Sequence, residues 1–280
     1  MDKPIVDSGL LGDTKSRDYA QKLSLFNRFA APELRNAIAS LSLEPGMQVL
    51  DAGCGTGEAL QWFRDALGVN GIVIGLDLSS PHLAVARAQA QIDVLVAQAD
   101  MTKPPLSARS FDLVWSVNTI NHLRDPDASV ATLSTLLRPG GRIALGQSSF
   151  LPDMYFAWDS RLERLTNEAV RQYYRDKYSL DERDLTAVRA SVGILRRAGL
   201  KDVQAQTFNI DRVSPLNPSD EDYLLEAIFR ATWGARLRPY LADTDYAELV
   251  KLCDPLESGF ALRRPDFHFL QTFTLAIGIA

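Results

Sequence analysis

A glycine-rich turn in the first quarter of the chain has the residue types of a ligand-binding loop. Residues 49–60 read as a buried strand that stops at Asp51, turns through three glycines and enters a helix near Glu58. The glycines are Gly53, Gly55 and Gly57. Glycine tolerates positive φ and has no Cβ, so the backbone can turn sharply there and approach a ligand closely. The positive end of the following helix would point at that ligand.

A second acidic residue follows at the spacing of a ribose-binding carboxylate. Residues 71–79 form another apolar strand pattern that leads to Asp77, about twenty residues beyond the glycine turn. At that separation a carboxylate can accept hydrogen bonds from the hydroxyls of a ribose. From these residues, a dinucleotide and S-adenosylmethionine are both candidate ligands.

The order of the glycines separates these two ligands. Asp51 followed by Gly-Cys-Gly-Thr-Gly resembles the first motif of the class I S-adenosylmethionine-dependent methyltransferases, rather than the Gly-x-Gly-x-x-Gly of NAD enzymes. Three more segments resemble that family in the right order, namely residues 97–101, 111–118 and 137–143. They are similar, in turn, to the adenine-contacting motif, the fourth strand and the turn into the fifth strand. The resemblance implies S-adenosylmethionine as the cofactor.

The family pattern also implies which residues bind the cofactor. Asp77 would hold the ribose, Asp100 would contact the adenine amino group, and Tyr19 lies on a first helix that folds over the methionine end. The full set that the resemblance implies is Tyr19, Asp51, Gly53, Gly55, Gly57, Asp77, Leu78, Asp100, Met101 and Asn118. We expect no metal ligand among them.

His122 is the candidate catalytic residue. Methyl transfer from a sulfonium needs mainly alignment and exclusion of water, so a dedicated base is optional. Of the three histidines, His122 follows the predicted fourth strand, beside Asn118 and Thr119 on the rim where acceptor and methyl should meet. There it could remove a proton from a phenol, an amine or a carbon acid. The alternative role is a hydrogen bond at the start of a helix.

The elements that position these residues alternate between strands and helices. Apolar, β-branched strand patterns at residues 48–51, 72–77 and 93–98 are separated by helical patterns, which is typical of a parallel sheet buried on both faces. We predict an α/β, Rossmann-like seven-stranded methyltransferase sheet, mostly parallel with an antiparallel last strand, and with helical cap insertions. Parallel strands end at one edge, so the candidate residues should share one rim.

Five segments divide the chain in this prediction. Residues 1–149 form N-terminal helices and the cofactor-binding core, residues 150–184 and 211–265 form helical cap insertions, residues 185–210 return to the core, and residues 266–280 form the final antiparallel strand. The insertions mix aromatic with charged residues. They suit a closed, apolar pocket for a small organic acceptor, which a cap must shield from water. The same aromatic side chains could instead form the core of the cap.

Composition and charge argue against some classes of binding partner. With 30 basic and 35 acidic side chains the net charge is −5, which gives no overall basic field for nucleic acid or an anionic membrane. The two cysteines, Cys54 and Cys253, provide neither a disulfide framework nor a zinc cluster. Because the sequence has no apolar run of signal-peptide or membrane-spanning length, we expect a cytoplasmic protein, and a homodimer stays open.

Three functions stay open at this point. The favoured one is methylation of oxygen, nitrogen or carbon on a small acceptor, for example in secondary metabolism. Residues 116–119 lack the Asn/Asp-Pro-Pro-aromatic motif of amino-methylating nucleic-acid enzymes. An NAD-type oxidoreductase would instead bind nicotinamide. A non-catalytic S-adenosylmethionine-binding protein would bind the cofactor without turnover on any acceptor.

Overall fold

Two helices precede the sheet. The computed structural model describes residues 17–89, 94–149, 151–178 and 189–280, with the backbone only for residues 17–21 and 178. Helix α1 spans Arg17–Phe29 and α2 spans Ala31–Ser40. Pro32 lies in the first turn of α2, where its missing N–H removes no helical hydrogen bond. Both helices bury apolar side chains against one face of the sheet.

The sheet confirms the predicted α/β order. Eight strands form it, in the order β3-β2-β1-β4-β5-β8-β6, with β7 also paired to β8. Strands β1 to β5 are parallel and β8 (His268–Ile279) is antiparallel to β5. The parallel strands are Gln48–Ala52, Ile72–Asp77, Val94–Gln98, Phe111–Val117 and Leu137–Ser148. Their carboxyl ends lie at one edge, as the alternating pattern predicts.

Helices cover both faces of this sheet. On one face α3 (Glu58–Leu67) and α4 (Ser80–Gln89) join the N-terminal helices in a large apolar cluster. On the other face α5 (Pro126–Ser134) and α7 (Ser191–Arg197) bury a second cluster. No helix in the described ranges combines the length and the apolar character needed to cross a membrane.

Two further strands pair with β8 in antiparallel orientation. Strand β7 (Lys201–Val213) pairs along the whole of β8 and is longer than the predicted sixth strand. A short strand, β6 (Asp153–Tyr155), pairs with the first residues of β8, beyond the point where β5 ends. The predicted helical insertion at residues 150–184 thus also contains a short strand, which the sequence analysis did not predict. The extended backbone of these residues is stabilised by pairing with a strand more than a hundred residues away, which local periodicity does not reveal.

Both insertions follow strands that end at the carboxyl edge, since β7 runs parallel to β5. Their helices are α6 (Ser160–Tyr178), α8 (Pro218–Tyr223), a π-helical segment at Leu224–Arg230, a 3₁₀ segment at Ala235–Tyr240, and α9 (Asp243–Cys253). Residues 150 and 179–184 of the first predicted insertion, and residues 185–188 of the segment that returns to the core, lie outside the described residues, and the predicted boundaries of the insertions stay predictions.

An aromatic stack joins the two insertions. Trp158 stacks on Trp233 with ring centroids 5.9 Å apart, and Trp233 stacks on Phe229 at 5.4 Å. Phe156 stacks on the other side of Trp158 at 5.1 Å. Such contacts add to the free energy gained from burying the rings. The aromatic residues of the insertions thus form much of the cap's own core.

Arg212 joins the cap to the N-terminal helices. Its guanidinium donates hydrogen bonds to both carboxylate oxygens of Glu33, to the carbonyl oxygen of Phe29 and to Asp220 of α8. It also lies 4.8 Å from the centroid of the Phe29 ring. The side chain of Arg212 is only 14% exposed, so these bonds are poorly screened by water.

Replacing Arg212 with alanine should lower the free energy of unfolding by about 3 kcal/mol, because Glu33 and Asp220 would keep half-buried charges without a cation. Urea denaturation measures this change. Arg197→Ala is the matched control, since the Arg197–Asp127 pair is largely exposed and should leave the midpoint nearly unchanged. Equal losses in the two variants would contradict the role of Arg212.

Candidate active site

An open cleft lies beyond the carboxyl ends of β1 to β4. It encloses about 640 Å³ of space, part of which is open solvent at its mouth. Its lining consists of Leu23, Gly53, Gly55, Leu76, Asp77, Leu78, His82, Ala99, Asp100, Met101, Val117, Asn118, Thr119 and His122. Four strand ends and one N-terminal helix therefore contribute to the same site.

Most of the residues named from the sequence meet in this cleft. Those that line it are Gly53, Gly55, Asp77, Leu78, Asp100, Met101, Asn118 and His122. Asp51 and Gly57 lie nearby but are not part of the lining. Tyr19 belongs to α1, and its side chain lies outside the part of the chain that the structure describes. The roles of all these residues stay predictions.

The glycine turn has the backbone that the sequence predicts. All three glycines have positive φ, at 87°, 54° and 89° for Gly53, Gly55 and Gly57. A Cβ on Gly53 would collide with the side chain of Thr119, and one on Gly55 would lie 2.5 Å from Leu23 Cδ2. A Cβ on Gly57 would lie 2.9 Å from the Cβ of Ala86 in α4. Gly57 thus serves helix packing, while the other two glycines border the cleft.

Asp77 connects the second strand to the glycine turn. Its Oδ2 accepts a hydrogen bond from the N–H of Gly55 at 2.9 Å, and its Oδ1 accepts one from the N–H of Ser79 at 2.7 Å. Each carboxylate oxygen has two acceptor sites, so both oxygens can still accept a bond from a ligand hydroxyl. The carboxylate is therefore held in place by the backbone, with capacity left for a diol.

Asp100 and Asn118 are held by similar local bonds. Asp100 Oδ1 accepts from the N–H of Thr102 at 2.8 Å and from its hydroxyl at 2.7 Å. Asn118 adopts φ = 51°, and its Oδ1 accepts from the N–H of Ser148 at 2.9 Å. Asparagine tolerates this left-handed backbone better than most residues. These bonds fix the turns that follow β3 and β4 at the rim.

The glycine turn is strongly acidic. Burial raises the pKa of Asp51 well above its usual range, and the carboxylates of Asp77 and Glu58 raise it further. Glu58 begins α3, where its Oε2 accepts from Thr56 Oγ1 at 2.6 Å and from Asn27 Nδ2 of α1 at 2.9 Å. Its Oε1 is buried and has no hydrogen-bond partner within the described ranges. The site is thus arranged to attract positive charge.

Sequence reasoning missed two lining residues that come from helices. Leu23 of α1 reaches the cleft across Gly55, although it reads as an ordinary apolar position of a helix. His82 of α4 is not among the residues that the sequence analysis assigns to the site. It is only 3% exposed, lines the cleft, and places its Nδ1 3.5 Å from Asp77 Oδ1. Its position two residues after a helix start was the available signal.

The aromatic residues of the first insertion do not line this cleft. Phe156 and Trp158 belong to the aromatic stack, and Tyr155 is half exposed on β6 beside the ring of His268. The cleft lining contains none of these three side chains, and a role of the insertions around the acceptor stays a prediction.

Gly53→Ala should weaken the binding of S-adenosylmethionine, the cofactor that the sequence implies, by about tenfold. The reason is that the added methyl group displaces Thr119 from the lining of the cleft. Gly46→Ala is the matched control, since Gly46 has φ = 88° and no atom near its Cβ position. Both variants should lose about 1–2 kcal/mol of stability from the positive φ. Calorimetric titration separates them, and equal affinities would show that the turn at Gly53 is only structural.

Part of the chain is similar in sequence to known proteins. A family model described as a methyltransferase domain matches residues 50–145. A malonyl-[acyl-carrier protein] O-methyltransferase of Pseudescherichia vulneris is 38% identical over 130 residues, which cover 45% of this chain and 50% of that protein. The nocamycin O-methyltransferase of Saccharothrix syringae is 28% identical over 224 residues, covering 76% and 77%. The chain thus spans about half the length of the first of these curated relatives.

Among solved structures, phosphoethanolamine N-methyltransferase 2 of Haemonchus contortus, determined in complex with S-adenosyl-L-methionine, shares the fold. Its TM-score is 0.51 at 19% identity, and the match covers 100% of this chain and 61% of that one. The matched domain contains the glycine turn and the carboxyl ends of β1 to β4. Residues 50–145 are thus similar to a methyltransferase domain, and the chain shares the fold of a methyltransferase determined in complex with S-adenosyl-L-methionine.

Proposed function

We propose that the protein is an S-adenosylmethionine-dependent methyltransferase that methylates an oxygen atom of a small organic acceptor. The observation that carries this proposal is the convergence of Asp77, Asp100 and the glycine turn on one cleft. Each of the two carboxylates follows its own strand and is held by backbone N–H groups. A ribose and an adenine could therefore be bound at fixed positions along the rim.

The charge of the site favours S-adenosylmethionine over a dinucleotide. A dinucleotide places its pyrophosphate at a glycine turn and a helix N-terminus, where negative side chains oppose it. Here the first turn of α3 carries Glu58, with Asp51 and Asp77 close enough to interact. S-adenosylmethionine instead brings a sulfonium and an ammonium. The buried, unpartnered Oε1 of Glu58 fits such a cation, and the NAD alternative has no comparable support.

The names of the relatives support oxygen as the methylated atom. The malonyl-[acyl-carrier protein] relative and the nocamycin relative are both described as O-methyltransferases. Because the first alignment covers half of that relative, the activity and acceptor of this whole chain are our proposal. The second relative, which acts on a natural product by its name, also supports a role in secondary metabolism.

The chain's own residues would bind, shield and align the reactants. When bound, S-adenosylmethionine supplies a methyl group on a sulfonium, which is a good leaving group. Asp77 and Asp100 hold the nucleoside part, and Leu23 and Met101 present apolar surface that excludes water. His122, in the 3₁₀ turn Ile120–His122 after β4, would accept the proton of the acceptor hydroxyl. Most of the rate enhancement would come from alignment and desolvation.

Calorimetry with the purified chain tests the cofactor assignment. S-adenosylmethionine and S-adenosylhomocysteine should bind at one site per chain, while NAD and NADH should not bind. Incubation with S-adenosylmethionine and a panel of hydroxy and carboxylic acids should then give products that carry one added methyl group by mass spectrometry. Tight cofactor binding without transfer to any acceptor would favour the non-catalytic alternative. Binding of NAD in place of S-adenosylmethionine would overturn the proposal.

A further inference from the structure

Three cations converge at the junction between α1 and the cap. Lys22 of α1 donates a hydrogen bond from Nζ to Oγ1 of Thr232, 3.0 Å away, just after the π-helical segment. Arg236 and Lys177 both lie over the ring of Tyr173, on α6. The guanidinium carbon of Arg236 is 4.9 Å from the ring centroid and the ammonium nitrogen of Lys177 is 5.7 Å from it. The junction therefore gathers positive charge from three separate elements.

The ammonium of Lys22 lies where burial and neighbouring cations disfavour its charge. Burial lowers the pKa of Lys22 to about 8, with further lowering by the charges of Arg236 and Lys177. Within the described ranges, neither Lys22 nor Arg236 forms an ion pair with a carboxylate. Asp176, beside Lys177, accepts the hydroxyl of Tyr240 and thereby raises the pKa of that tyrosine. A half-buried ammonium without a counterion is costly to the free protein.

A buried hydrogen-bond donor lies next to Thr232. The side chain of Trp233 is 4% exposed, and its indole N–H has no hydrogen-bond partner in the part of the chain that the structure describes. Its ring is fixed between Phe229 and Trp158 in the aromatic stack. Buried donors are normally satisfied, so this N–H is available to an acceptor atom of a bound ligand. The Trp233 donor and the Lys22 cation both suit an oxygen-rich, anionic group.

We propose that Lys22 and Arg236 bind an anionic group of the acceptor, a carboxylate or a phosphate, at the junction of α1 and the cap. This inference rests on the proposed function, because it assigns the acceptor to organic acids or phosphate esters. Helix α1 contributes Leu23 to the cofactor cleft and Lys22 to the cap, so one turn of helix faces both ligands. The anion is a recognition group here, and no bond to it forms or breaks.

Anion binding can be measured without turnover. Succinate and inorganic phosphate are titrated separately into the full chain by calorimetry at constant ionic strength, which distinguishes a carboxylate site from a phosphate site. At least one of them should bind. Lys22→Met should weaken that binding by about 10- to 100-fold, since a charge-assisted hydrogen bond is lost in a half-buried place. Lys201→Met is the control, because Lys201 is exposed at the start of β7 and gives the same change in net charge.

Two further measurements keep the result interpretable. Lys22→Met should melt at or above the wild-type temperature, because the lowered pKa means that the charge opposes folding. Arg236→Met removes the second cation of the site and should also lower the affinity for the same anion. Absence of binding of both anions to the wild-type chain would overturn the inference, and so would equal affinities in the wild type, Lys22→Met and Arg236→Met.

Titration of S-adenosylhomocysteine in the same experiment separates this inference from the proposed function. The affinity for S-adenosylhomocysteine should be the same in the wild type and in Lys22→Met. A wild-type chain that binds succinate or phosphate but no S-adenosylhomocysteine would overturn the methyltransferase proposal and leave the anion site standing. The reverse result would overturn the anion site and leave the methyltransferase proposal standing.

Discussion

Asp77→Ala should weaken S-adenosylmethionine binding by about 2–4 kcal/mol, or roughly 30- to 1,000-fold in the dissociation constant. Two effects add in the same direction. The ribose hydroxyls lose a charged acceptor in a partly dry cleft. The glycine turn also loses the bond from Gly55 N–H to Asp77 Oδ2, so its backbone is less well positioned for the ligand.

Matched variants identify which effect dominates. Asp77→Asn keeps one carbonyl oxygen for a backbone N–H but loses the charge, and it should lie between the wild type and Asp77→Ala. Asp65→Ala removes an exposed acid from α3 and should bind like the wild type. Isothermal titration gives the dissociation constants, and circular dichroism checks the fold. An unchanged constant for Asp77→Ala would remove the basis of the cofactor assignment.

The second large effect is expected at His122. His122→Ala should lower kcat by about 10²–10⁴ if the imidazole accepts the acceptor's proton. The rate of the wild type should fall as the pH decreases, because a protonated imidazole cannot act as a base. That acid limb should be absent from the pH profile of the variant. Binding of S-adenosylhomocysteine should change little, since an acceptor-side role does not involve the nucleoside.

His268→Ala provides the comparison for His122. His268 lies on β8, with its Nε2 2.8 Å from Asp211 Oδ1, away from the cleft lining. Its removal should leave kcat and the pH profile unchanged. A loss of only a few fold in His122→Ala, with the acid limb retained, would show that alignment and desolvation carry the reaction without this base.

Local sequence patterns were sufficient to predict the strands and the glycine turn that border the cleft. Apolar runs that stop at Asp51, Asp77 and Val117 predicted strands, and the helical patterns between them predicted a parallel sheet. Parallel strands bring their carboxyl ends to one edge, so residues far apart in sequence had to become neighbours there. Glycine adopts positive φ more readily than other residues, so the sequence itself indicates where such a turn can form. For these reasons the rim of the cleft followed from the order of short segments.

The acceptor side depended on contacts that no local pattern encodes. Lys22 and Thr232 are 210 positions apart, yet their hydrogen bond defines where α1 meets the cap. In sequence, Lys22 looks like a solvated residue of an amphipathic helix, and its lowered pKa arises from burial and from two cations on other elements. Likewise, Trp158 is an aromatic residue of uncertain role until Trp233 stacks on it.

The same distinction explains why the sequence did not reveal β6 or the place of His82 beside Asp77. A strand of three residues is stabilised by its partner β8, and a helix-start histidine is buried by the strand end beside it. Hydrophobic periodicity reports which face of an element is apolar, but it does not report which distant element covers that face. Tertiary packing therefore decided the charge, burial and partners of the residues where α1 meets the cap, while the sequence pattern was sufficient for the sheet and its glycine turn.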